Sequence, residues 1–122
     1  MAFKLKVGKI IETEVSVELK DGDQYRAHQI GLVLKRLDTA QFELLMQRAR
    51  DGDLDDRALL AEMVSDWRQH LVLDENDQPA GYSLEAMDCM CSVLGMRRLL
   101  AEKAINAQLD GMRAAAPDKQ GN

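Results

Sequence analysis

The sequence predicts an α+β fold: an N-terminal β-hairpin or small antiparallel sheet followed by about four α-helices. Three observations predict it. Apolar and polar residues alternate in the first third of the chain, as in Val15-Ser16-Val17-Glu18-Leu19. After Leu37 the apolar spacing lengthens to three and four residues. Strands come first and helices afterwards, the segregation expected when helices pack on one side of a sheet, and no repeat of solenoid length interrupts it.

Phe3, Leu5 and Val7 alternate with Lys4 and Lys6, and Val15, Val17 and Leu19 with Ser16 and Glu18, the period-2 pattern of half-buried strands. Asp21-Gly22-Asp23 supplies the turn. Tyr25 and Ala27 begin a second strand whose alternation slips near His28-Gln29 and resumes at Ile30, Leu32 and Leu34. A β-bulge there would restore the face. The N-terminal segment is available as a third strand.

Asp38, with Gln41 three places on, can form a capping box for a first helix carrying Phe42, Leu45, Met46 and Ala49 on one face. Asp51-Gly52-Asp53 ends it. A second helix places Leu60, Met63, Val64, Trp67 and Leu71 on one stripe. Asp74 to Gly81 is an acidic loop containing a proline, and Ser83 caps a third helix bearing Met87, Met90, Cys91 and Leu94. Gly95 breaks or bends that helix, and a fourth runs from about Met96 to Met112. Residues 1–113 form the single domain, and 114–122, small and polar, form a flexible tail.

An apolar fraction of 46% suits a packed core, and because aromatics are only 4%, Leu, Met, Ala and Val must do most of the packing. The expected core is Phe42, Leu45, Leu60, Met63, Val64, Trp67, Met87 and Leu94, joined by Val15, Val17 and Leu19. Trp67 reads first as a core anchor and second as an interface hot spot. Most of the seven Met residues are expected in the core, where their flexibility fills gaps.

With 21 acids against 16 bases the net charge is -5, a field that repels a phosphate backbone and argues against a nucleic-acid ligand. The lysines of the N-terminal KLKVGK read as edge-strand residues that discourage pairing. No stretch is apolar and long enough for a membrane span or a signal-peptide core, so a cytosolic protein is expected. Cys89 and Cys91, two apart on a helix, point to roughly opposite sides and suit neither a disulfide nor a shared metal.

Two loops imitate calcium-binding EF-hands. Asp51, Asp53, Asp55 and Glu62 hold positions 1, 3, 5 and 12 of one; Asp74, Asn76, Gln78 and Glu85 hold the same positions of the other. The sixth position needs glycine for its turn and is instead Asp56 or Pro79. The acids are therefore expected to be solvated at helix starts, with no metal or cofactor. His28 and His70 lack a nucleophile in an elbow context and read as surface or capping residues, His70 at a helix C-terminus. No catalytic residue is expected.

The segment from Leu59 to Ala107 carries Val64-Ser65-Asp66-Trp67, the turn Asp74 to Pro79, Tyr82-Ser83-Leu84-Glu85 and Leu94-Gly95-Met96. It resembles the tail assembly chaperones of lambda-like long-tailed phages, whose members read V..DW, a proline-containing polar turn, an F-S-x-E helix start and a closing apolar helix. Tyr82 replaces the usual phenylalanine. The resemblance implies a non-catalytic protein of the host bacterial cytoplasm, absent from the finished tail. It would bind the tape measure protein, recruit tail tube subunits and possess a capacity for self-association. A frameshifted extension, common in the family, would begin after Pro117. A divalent-cation-responsive protein, resting on the acidic loops, and a generic adaptor are the alternatives.

The expected partner-binding residues lie on the fourth helix: Met96, Leu99, Leu100, Ile105, Leu109 and Met112. They spread too widely around it for one core face to hide them all, and Met and Leu can repack against a varied helical client.

Overall fold

Two strands, β1 (Ile10–Asp21) and β2 (Gln24–Lys35), meet at the two-residue turn Gly22-Asp23. Gly22 adopts φ +66°, the sign that a hairpin turn matched to strand twist needs at its first position. The structure, a computed structural model, describes residues 2–117. The expected tail lies partly outside them, at 118–122.

The β1–β2 register runs unbroken from Ile10↔Lys35 to Asp21↔Gln24, so the bulge expected near His28-Gln29 is absent. Tyr25 and Ala27 therefore face away from Ile30, Leu32 and Leu34. Residues 20–27 are exposed throughout, because the hairpin tip projects beyond the helices, and nothing there selects a face.

The third strand is not the N-terminal segment. It is β3 (Val64–Trp67), which pairs antiparallel with β2 and makes the order β1-β2-β3. The expected second helix accordingly stops early: α2 spans Asp56–Met63, and Leu71 lies beyond it, exposed. β-branched and aromatic side chains suit a strand, and the open edge of β2 offers hydrogen bonds that a lengthened helix would leave unused. The register shifts between Val33 and Leu34, a bulge that leaves Ser65 unpaired. Val64 and Trp67 thereby both turn inward although three residues apart, and this strand imitates helical spacing.

The remaining helices start where their caps dictate. In α1 (Thr39–Arg50) the Asp38 carboxylate accepts the Gln41 N–H at 2.8 Å, and Gln41 Oε1 accepts the Asp38 N–H at 2.9 Å, the expected capping box. Asp55 caps α2 and Ser83 caps α3 (Leu84–Met90) by a single bond each, accepting the N–H of Ala58 and of Ala86. Gly95, at φ +90°, separates α3 from α4 (Met96–Leu109).

α4 packs against α2 and β1, and the core lies between helices and sheet. Val15, Val17, Leu45, Leu60, Met63, Val64, Trp67 and Met87 are buried as expected, with Ile30, Leu32 and Leu34 at the centre. Phe42 and Leu19 are only half-buried. Leu94 is fully exposed, at 101%, because α3 ends at Met90 and Leu94 falls in the following turn instead of on its stripe. Met63, Met87, Met90 and Met96 are all core residues. Among the described residues no helix is long and apolar enough to cross a membrane.

Candidate functional site

The inward stripe of α4 is Met96, Leu100, Ala101 and Ala104, all buried. The six residues expected to bind a partner are thus divided. Met96 and Leu100, at 3% and 0% exposure, belong to the core and cannot contribute surface. Leu99 and Ile105 flank the stripe and are half-buried. Leu109 and Met112, at 63% and 84%, stand exposed at the end of the helix and just past it. One core face hides more of this helix than its apolar spread suggests, because the small residues Ala101 and Ala104 let it sit close to its neighbours.

At this end a network of side chains ties α4 to the β2–α1 connector. Gln108 Oε1 accepts the Leu37 N–H at 3.1 Å, while its amide donates to the Lys35 carbonyl at 2.6 Å. The Arg36 guanidinium donates to the carbonyls of Gly8 and Gly111, at 2.8 and 3.1 Å. Gly111 is a tight site: a Cβ there would sit 2.9 Å from Ile11 Cδ1 and 3.1 Å from the Gln108 carbonyl oxygen.

The network frames an open groove of about 400 Å³ between α1 and the end of α4, with Leu37, Phe42 and Leu109 as its apolar lining and Asp38 and Glu43 as charged lining. Leu37 also borders a smaller hollow with Leu44, Arg48 and Glu62. Leu44 is 62% exposed. The combined surface is apolar with a charged rim, the composition of a protein-binding patch. Phe42 was expected in the core, and Leu37 and Leu44 had no expected role. Leu44 could have been found, since it falls off the Phe42–Leu45–Met46–Ala49 stripe.

Val64 and Trp67 of β3 meet Tyr82, fifteen or more residues further along the chain, in a structural cluster. The indole N–H of Trp67 donates to the Ala80 carbonyl at 3.1 Å, and Tyr82 stands edge-on to the indole at 5.3 Å while its hydroxyl reaches the Val64 carbonyl. Burial pushes the Tyr82 hydroxyl pKa up. His70 stacks on Trp67 at 4.3 Å, and its Nδ1 accepts the Val72 N–H. It therefore sits in the bend after β3 and not at a helix end, since the expected second helix does not reach it. His28 is half-buried in β2.

Three acids of the two EF-like loops, Asp51, Asp55 and Asp74, are turned to local work. Asp55 accepts the Ala58 N–H, and Asp51 accepts from the Gln47 side chain. The Asp74 carboxylate accepts the N–H groups of Asn76 and Gln78. Among the described residues no three His, Cys, Asp or Glu side chains gather closely enough to hold a metal ion. Cys89 is exposed, and Cys91 is half-buried with its thiol pKa raised by desolvation.

No protein-family model matches the chain, and no curated protein or solved structure matches it.

Proposed function

We propose that the protein is a tail assembly chaperone of a long-tailed phage, acting in the host bacterial cytoplasm by binding the tape measure protein and recruiting tail tube subunits, without catalysis. The observation that carries the reading is the charged-rimmed apolar surface formed by Leu37, Phe42, Leu44 and Leu109. A helix of the client lays its apolar stripe into such a groove, while Asp38 and Glu43 exclude wrongly charged faces. The resemblance of Val64-Ser65-Asp66-Trp67 and Tyr82-Ser83-Leu84-Glu85 to the family supplies the identity of the client. The nearby Met112 adds a flexible contact suited to a long helical partner of varied sequence.

Co-expression tests this. The chain should keep soluble a long helical protein encoded beside it, and L44D with L109D should abolish that effect while leaving the circular dichroism melt unchanged. A wild-type chain that solubilises no neighbouring phage protein overturns the reading in favour of a generic adaptor. Solubilisation that survives both substitutions moves the binding surface elsewhere.

A further inference from the structure

We propose that β1 is a dimerisation edge, to which the segment Phe3–Val7 of a second copy of this chain adds as an antiparallel strand, reciprocally across a two-fold axis near Ile11. This inference stands independently of the chaperone reading.

β1 lies at the margin of the sheet and runs for 12 residues without a proline. Lys9 accepts the Arg36 N–H at 2.8 Å, so odd-numbered residues of this strand direct their amides and carbonyls to β2. Even-numbered residues from Glu12 to Lys20 direct theirs outward, along an edge that no strand covers among the described residues. Beside that edge, on the helical face, is an open hollow of about 310 Å³ whose apolar lining includes Val17, Leu19, Val93, Leu94 and Leu99.

The N-terminal segment has the complementary pattern. Phe3, Leu5 and Val7 are 89%, 84% and 57% exposed and belong to no strand. They share odd numbering with Val15, Val17 and Leu19, so in an extended chain they lie on the same face. Placing Phe3 opposite Leu19 of a second copy sets Leu5 against Val17 and Val7 against Val15, next to the hollow. The same register sets Lys4 opposite Glu18 and Lys6 between Glu14 and Glu18 on the other face. Glu14 and Glu18 make no ion pair among the described residues. The register is symmetric, so both copies make every contact, and two three-stranded sheets become one.

A chain's own segment cannot do this. The backbone at Gly8 and Lys9 is held by Arg36, and the segment leaves at the far end of β1 from the hollow. A fold-back through a two-residue turn at Gly8-Lys9 would bring Phe3 only as far as Glu14, and onto the acidic face.

Sedimentation velocity of the full chain across a concentration series tests the proposal. The wild type should associate to a dimer. K4E and E18K should each raise the dimer Kd about tenfold, since the pair occurs twice, and K4E/E18K should restore it. S16P should leave the melt intact, because the Ser16 amide faces solvent in one copy, and should abolish the dimer. A chain that stays monomeric throughout overturns the proposal. So does a dimer indifferent to K4E and S16P, or a double variant that fails to restore association.

Discussion

Val64 and Trp67 stand three residues apart in a strand and yet point into the same core, because the bulge in the β2–β3 pairing leaves Ser65 without a partner. Trp67 then reaches the Ala80 carbonyl, stacks on His70 and meets the edge of Tyr82. The bend at His70 and the stretch Ala80–Tyr82 both rest on that one ring.

Trp67→Ala should consequently cost on the order of 3–5 kcal/mol, a large share of a domain's stability. Trp67→Phe keeps an aromatic ring but orphans the Ala80 carbonyl, and should cost about 1–3 kcal/mol. Urea denaturation checks both, and a Trp67→Phe variant as stable as the wild type would show that the indole N–H contributes nothing.

Arg57 grips Asp88 through two hydrogen bonds, at 2.7 and 2.8 Å, joining α2 to α3. This grip holds the Asp88 carboxyl below its ordinary pKa. Because the folded value is the lower one, the contribution to stability is present above the unfolded pKa of about 3.9 and is lost as pH falls through the folded value. NMR titration should find Asp88 depressed in the wild type and returned toward the usual carboxylate range in Arg57→Gln. An unchanged titration in the variant would remove Arg57 as the cause.

The capping box makes a local prediction. Asp38→Ala should destabilise by roughly 0.5–2 kcal/mol, through the start of α1, and Gln41→Ala by less. Amide hydrogen exchange should show faster opening in the first turn of α1. Loss confined to another region would contradict the assignment.

Gly111→Ala should cost about 1–3 kcal/mol, because the new methyl meets Ile11 Cδ1 and the Gln108 carbonyl in a tightly tied corner. Gly81→Ala meets nothing within 4 Å and should stay within about 0.5 kcal/mol of the wild type. Thermal melts of the two variants, side by side, decide it.

Elements governed by neighbouring residues were legible in the sequence. The hairpin turn, the Asp38–Gln41 box, the Ser83 cap and the break at Gly95 are each satisfied within a few residues, so short-range rules locate them. The α+β class follows from the change of apolar period, which is also local. The candidate groove was legible only in part: Leu109 belongs to the exposed end of an apolar helix, but Leu37, Phe42 and Leu44 come from α1 and the connector before it.

What long-range contact decides, the sequence could not disclose. Val64 and Trp67 keep a helical spacing, and only the free edge of β2, with its unmatched hydrogen-bonding groups, makes them a strand. That edge is open to them because β1 covers only the other side of β2, an outcome invisible to alternation alone. Likewise Met96 and Leu100 have the same chemical character as Leu109 and Met112. Packing against α2 and β1 buries the first pair, while the second extends past the layer that could cover it. Periodicity specifies which side chains share a face; only the tertiary arrangement specifies where that face ends.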